Sequence, residues 1–366
     1  MTYNIFFELI QVAIGRRDEL SRVPSAKDWS ALYGMSVKQA VAGVCFCGVQ
    51  RLPKEQVTHL PKQLMMQWFA LAEQIKQRNE VVNERVCELH RLLEADGLRA
   101  CVLKGQSIAL LYNLNLNVNL DLNLNLFRQS GDIDVWVDGE RDEIIRYVKA
   151  HYRCGEAVIH HIDVEVFDDV PVEVHFIPSF AYSWPRYRAY RRFFNAHKEE
   201  CFVSSGLGFC VPSLRFNAVY MLMHIFRHVF HEGIGLRQLM DYYFLLKNLN
   251  VNVNLDLNLN GWLRELGLLR FAGAVMYVER EVFGLQREYM ICEPDEKAGR
   301  FLLDEILRAG NFGQYDPRIR DAHAGGSVRL YMKNVKRLFS MVRFYPSEVL
   351  WAPFWKVGHF VWRKWL

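Results

Sequence analysis

Apolar residues recur at three- and four-residue spacing through most of the first hundred positions, the period of an amphipathic helix. One stripe runs through Trp29, Leu32, Val37, Ala40, Val41 and Val44, with Asp28 placed as its N-cap. A longer one opens after Pro61 and covers 63–93 (Met66, Phe69, Ala72, Ile75, Val82, Val86, Leu89), ending near Asp96 and Gly97. At Leu98 the texture changes. Residues 100–103 form a short apolar run suited to a buried strand, followed by Lys104-Gly105-Gln106-Ser107 and a helical segment to Tyr112. Residues 133–137 predict a second strand, 141–151 a helix, and 159–167 with 170–176 a hairpin turning at Asp168-Asp169. From about Pro185 the helical period returns, strongest over 214–231, 236–246 and 271–283. The order predicts an α+β fold, with a small mixed sheet in 98–180 flanked by helical regions in 1–97 and 181–366.

One pattern fits neither period comfortably. Residues 113–126 read NLNLNVNLDLNLNL and 248–260 read NLNVNVNLDLNLN. The alternation is formally that of a strand, but Asn is a poor strand former and both copies lie between helical segments. Two insertions projecting as loops are expected, so that removal of 113–126 leaves folding intact. The other reading is an edge-pairing strand, since the segments lack proline and are weakly charged.

Composition narrows the class. With 51% hydrophobic and 23% charged residues and a mean hydropathy near zero, the chain is globular, neither disordered nor membrane-embedded. Its 366 residues suggest roughly two or three domains. No apolar run reaches the ~18 residues a membrane span requires. The first 20 residues mix Asn, Glu and Gln into an apolar stretch and read as an amphipathic helix, not an export signal. The eight cysteines form no CxxC pair and no zinc-finger array, so reduced thiols in a cytoplasm are expected, with Cys45 and Cys47 in the core. The net charge of +4 is a property of the tail: from Ser327 onward eight Lys or Arg face one acid, Glu348.

Chemistry concentrates in Gly131-Asp132-Ile133-Asp134-Val135-Trp136-Val137. On a strand, Asp132 and Asp134 share a face about 6–7 Å apart while Ile133 and Val135 face the core. Two carboxylates at that spacing can hold divalent cations, and hard oxygen donors point to Mg²⁺ or Mn²⁺ rather than zinc. The turn at Gly105 and Ser107 opens a helix and can face a triphosphate, with Lys104 or Arg128 neutralising charge. Glu173, between the valines of Val172-Glu173-Val174-His175, is placed either to complete the metal site or to take a proton from an acceptor. Glu165 on the facing arm is its rival. His160, His161 or His175 can orient that carboxylate.

This ordered set resembles the nucleotidyltransferase superfamily, of DNA polymerase beta-like fold, and within it the uncharacterised nucleotidyltransferases found in bacteria. The likeness covers most of 25–285, including Trp29, His224, His228 and the run from Gly233 to Asp241. It implies two metal-binding aspartates, Asp132 and Asp134, and a third carboxylate, Glu173. It also implies attack of an acceptor on the α-phosphate of an NTP with release of pyrophosphate. The phosphate turn departs from the superfamily pattern, because Gln106 separates Gly105 from Ser107. Gly105 and Asp132 are too far apart for that pattern unless 113–126 is an insertion.

The remaining polar residues leave choices open. His224, His228 and His231 follow one helix face, suited to packing and hydrogen bonding or to contact with nucleotide or acceptor. Arg237 and Asp241 are spaced as an intrahelical ion pair, or Arg237 reaches phosphate. Tail residues 327–366 interleave cations with Trp351, Trp355, Phe360, Trp362 and Trp365, a texture shared by RNA-binding surfaces, membrane-interface helices and helices packed on a domain. Pro346 and Pro353 exclude one continuous helix there. The acceptor is a small molecule, a protein or RNA. A catalytically silent nucleotide-binding or scaffold protein and a membrane-surface assembly protein are the rival classes.

Overall fold

The computed structural model describes residues 2–113, 123–249, 259–318 and 326–363; most of both Asn-rich repeats lies outside them. Four helices come first: α1 (Thr2–Ala13), α2 (Ala26–Lys38), α3 (Ala42–Arg51) and the 34-residue α4 (Lys62–Ala95). The stripe read as one helix from Trp29 to Val44 is two. The chain breaks at Gln39–Val41, where Ala40 takes a positive φ of 55°. The cap of α2 is Ser25, not Asp28; Asp28 sits three residues in and closes a capping box back to Ser25.

The sheet follows. Strands β1 (Ala100–Val102), β2 (Ile133–Val137), β3 (Arg153–Cys154), β4 (His161–Glu165) and β5 (Val172–His175) lie in the order β1-β2-β5-β4-β3. Only β2 and β5 run parallel; the other neighbours are antiparallel. The short α5 (Gln106–Ala109) follows β1 and α6 (Arg141–His151) follows β2. Alternation fixes the faces: Ile133, Val135, Val172 and Val174 are buried, so Asp134 and Glu173 share the opposite face.

Helices complete the molecule: α7 (Trp184–Ala196), α8 (Leu214–His231), α9 (Leu236–Leu249), α10 (Leu259–Glu265), α11 (Leu269–Phe283), α12 (Glu296–Ala309), α13 (Gly326–Phe339) and α14 (Pro346–Arg363). A two-residue ladder, β6 (Val203–Ser204) with β7 (Cys210–Val211), lies between α7 and α8. The pair α8 and α9 packs as a hairpin, and α1 reaches across the molecule to α3 and α11. One continuous apolar core joins all these parts, with Cys45 and Cys47 inside it. No described helix is long and apolar enough to cross a membrane.

Two expectations need correcting. The repeats are not loops from end to end: Leu124–Phe127 forms a 3-10 turn with Leu124 and Phe127 buried, and Leu249 ends α9 and Leu259 opens α10, both with buried side chains. Asn79 of α4 donates to the carbonyls of Leu126 and Arg128, and Gly43 of α3 meets the Phe127 carbonyl so closely that no side chain fits. In the tail, α13 and α14 are separate, with Pro346 opening α14. Pro353, however, lies inside α14 without ending it.

Candidate active site

A cavity of about 550 Å³ lies between the polar face of the sheet and the helices α8 and α9. That volume falls in the range of small-ligand sites. Its floor is acidic. Asp134 and Glu173 stand directly opposite each other on the parallel strands β2 and β5, and Asp132 lines the same cavity from the residue before β2. Acids here are costly unless matched by cations, and two nitrogens supply the match. Lys104 Nζ donates to Asp134 Oδ1 at 2.7 Å. His175 donates its Nε2 proton to the same oxygen at 2.9 Å and to Glu173 Oε2 at 3.2 Å. Because both partners are carboxylates, Nε2 is the protonated nitrogen.

The electrostatics follow from this crowding. Burial pulls the Lys104 ammonium down, but Asp134, Glu173 and Asp132 together outweigh it and hold it above its ordinary value. Burial likewise opposes a charge on His175, and its bonds to Asp134 and Glu173 raise it nonetheless. Glu173 is pushed up by burial and down more strongly by His175 and Lys104, to about 2. Four groups of alternating charge thus hold one another in place.

Turn chemistry positions Lys104. After β1 the chain turns at Gly105, whose φ of +65° an L side chain rarely adopts, and the carbonyl of Asp132 lies just beyond it. Ser107 does not reach the cavity. It is buried in α5, and its hydroxyl donates to the Leu103 carbonyl. Gln106 is buried as well, tied by its amide to Asn83 at 2.5 Å.

Arg128 lines the cavity but is already engaged. It clasps Asp241 of α9 through Nε at 2.6 Å and Nη2 at 2.7 Å, both side chains buried. Burial opposes that guanidinium's charge, and Asp241 more than restores it. This overturns the expected intrahelical pair of Arg237 with Asp241. Arg237 instead donates to the Gln129 carbonyl at 2.9 Å, beside Gly131, and lies over the Phe312 ring.

The roof carries a cation that the sequence reading did not single out. Arg227 of α8 donates to His160 Nε2 and, at 2.9 Å, to His228 Nε2. Burial and the Arg227 charge hold His160 and His228 well below the usual histidine range, so both rings are neutral acceptors. His224 is held down by burial and Lys104. His231 accepts from or donates to the Tyr182 hydroxyl at the rim. Among the described residues no carboxylate lies within ion-pair distance of Arg227 or Arg237, so both guanidiniums face the cavity without a direct partner, Arg237 feeling Asp241 and Asp132 only at longer range. The signal in sequence was spacing alone: Arg227 lies three positions after His224 and one before His228 on a largely apolar helix.

Opposite Glu173 on β4 is Asp163, not Glu165, which pairs with Arg153 at the far edge and does not line the cavity. His161 lies between, 3.5 Å from both Asp163 and Glu173. Among the described residues, the groups close enough to share an ion are Asp134, Glu173 and His175; His161, Asp163 and Glu173; and His160, His161 and His175. Trp355 of α14 closes one wall, stacked on Phe180 at 4.8 Å.

No curated protein and no solved structure matches the chain. A family model described as uncharacterised nucleotidyltransferase matches residues 25–284, which span α2 through α11 and include every residue of the acidic floor. The chain belongs to that family, the uncharacterised nucleotidyltransferases.

Proposed function

We propose that the chain transfers a nucleoside monophosphate from an NTP to an acceptor nucleophile, with a divalent cation held by Asp132, Asp134 and Glu173. The observation that carries the reading is the register of β2 on β5, which sets Asp134 against Glu173 with Asp132 alongside. The donor set is hard oxygen, which fits Mg²⁺ or Mn²⁺. When bound, that ion supplies neutralisation of phosphate charge and polarisation of the reacting oxygens.

The chain's own residues do the rest. His175 orients the carboxylates of Asp134 and Glu173 through one shared proton. Arg227 and Arg237 face the cavity without an ion-pair partner and neutralise the triphosphate, the work expected of Lys104 or Arg128. Lys104 serves the same end once its bond to Asp134 is relinquished. The acceptor oxygen forms a bond to the α-phosphorus while the bond to the β-bridging oxygen breaks, and pyrophosphate leaves with that electron pair. The acceptor proton passes to a carboxylate of the floor or to water.

The test is incubation with each α-³²P-labelled NTP and Mg²⁺ beside cell extract separated into RNA, protein and small molecules. Label moves to one fraction, and Asp134→Asn abolishes the transfer while leaving the fold intact. Label transfer that persists in Asp134→Asn would overturn the assignment. A nucleotide-binding protein without catalysis is the second reading, favoured by the withdrawal of Ser107 and Gln106 from the cavity. Nucleotide binding without transfer from any NTP would establish it.

A further inference from the structure

Helix α14 has two faces of opposite character. Its inner side buries Glu348, Val349 and Ala352, and Trp355 forms the cavity wall. Its outer side carries Leu350, Trp351, Phe354, Val357 and Gly358, all exposed. At 100° per residue these five fall within one third of the helix circumference, and no charged or hydrogen-bonding side chain other than the Trp351 indole interrupts them. Phe354 is 74% exposed and Leu350 54%. A contiguous outward apolar stripe of this kind marks an interaction surface.

The surroundings say what covers it. Glu348, the one acid after Ser327, is consumed internally: Arg186 pairs with it at 2.6 Å and the backbone N–H groups of Tyr182 and Ser183 donate to it. Arg343 is exposed just before the helix, and the sequence beyond the described side chains continues His-Phe-Val-Trp-Arg-Lys-Trp-Leu. Beside α14 lies α7, where Arg188, Arg191 and Arg192 are exposed, with Trp184 one turn before Arg188. A second cavity of about 430 Å³ opens between the two helices, lined by Arg141, Tyr187, Arg191, Trp355 and Gly358. Gly358 belongs to both the cavity and the stripe.

We propose that this face docks on a membrane surface rich in anionic lipid, with the stripe of α14 in the acyl-headgroup boundary and the flanking arginines on lipid phosphates. An apolar arc with Trp among cations at its margins is the pattern of an interfacial helix. Single-stranded nucleic acid would require cations within the stripe beside its rings Trp351 and Phe354, where Leu350 and Val357 stand instead. A symmetric second copy would bring the same arginines face to face. The cavity between α7 and α14, with the exposed Arg191 in its lining, suits the phosphate of a headgroup.

The test is co-sedimentation of the full chain, without NTP, with vesicles of phosphatidylcholine alone or with about 30% phosphatidylglycerol. Omitting NTP makes the result independent of the transfer reaction. The chain pellets with the anionic vesicles only. A Leu350→Gln/Phe354→Gln variant partitions at least about tenfold more weakly. An Arg188→Gln/Arg191→Gln/Arg192→Gln variant falls to the level seen on neutral vesicles, as does the unaltered chain in about 0.5 M salt. All substituted side chains are exposed, and circular dichroism checks their folding. Absence of pelleting overturns the proposal, as does equal pelleting of the Leu350/Phe354 variant. A dimer in light scattering that this variant dissolves, without vesicle binding, assigns the face to a second copy. Vesicle-independent binding of single-stranded RNA that the arginine variant abolishes assigns it to nucleic acid.

Discussion

Asp241 and Glu279 are both buried acids on helices, and their neighbours give them opposite consequences. Asp241 receives two bonds from Arg128 and one from the Tyr112 hydroxyl at 2.7 Å, so it is a structural anion. Arg128→Met leaves it buried without its cation and costs about 3–5 kcal/mol, read by urea unfolding. Arg237 has no carboxylate to strand. Arg237→Met leaves the unfolding midpoint near that of the unaltered chain and raises the KM for NTP about tenfold or more, the signature of a lost phosphate contact. Glu279 is fully buried in α11, and neither of its oxygens has a hydrogen-bond partner. Burial raises its carboxyl well above the ordinary range. The folded state therefore holds this proton more tightly than the unfolded chain, whose carboxyl titrates near about 4.3. Its contribution to stability is complete below that value and declines as pH rises. Glu279→Met removes that decline and is more stable than the unaltered chain at about pH 8 by about 1–3 kcal/mol, checked by unfolding at both pH extremes.

Elements whose periodicity and burial agree were legible in the sequence. Strand β2, the β4–β5 hairpin and helices α8 and α9 fall where the apolar spacing placed them, because each buries one face against the same core. The break between α2 and α3 was not legible. It rests on a positive φ at Ala40, a residue with no preference for that conformation, and on the packing of both helices. The carboxylates of the site were readable, since an acid alternating with buried valines must face away from them. Its cations were not: whether Arg128, Arg227 or Arg237 is spent depends on how α8 and α9 meet the sheet. The repeats show the same division. Asn113 and Asn125 join side chains at 3.0 Å, so the chain returns to where it left. Deletion of 114–122 therefore preserves the melting temperature, whereas deletion of 113–126 removes Leu124 from the core and lowers it by several degrees; thermal circular dichroism of both variants decides.

Across the whole molecule, the site is completed only where three stretches of chain converge. The sheet region supplies Lys104, Asp132, Asp134 and Glu173, α8 and α9 supply Arg227 and Arg237, and α14 supplies the Trp355 wall. The same convergence satisfies the sheet region itself. Arg128 needs Asp241, and Asn79 of α4 holds the backbone of Leu126 and Arg128. Detached, 98–180 would expose the apolar faces of β2 and β5 and leave a guanidinium without its partner. That fragment is predicted to lack a cooperative unfolding transition and to bind no NTP, because Lys104 is held by Asp134 and cannot by itself offset the acids, and Arg227 and Arg237 lie more than 40 residues beyond its end. Far-UV dichroism on heating, with nucleotide titration of fragment and full chain in parallel, tests both halves. A fragment that melts cooperatively and binds NTP as the full chain does would show that the sheet region is a self-sufficient nucleotide-binding unit.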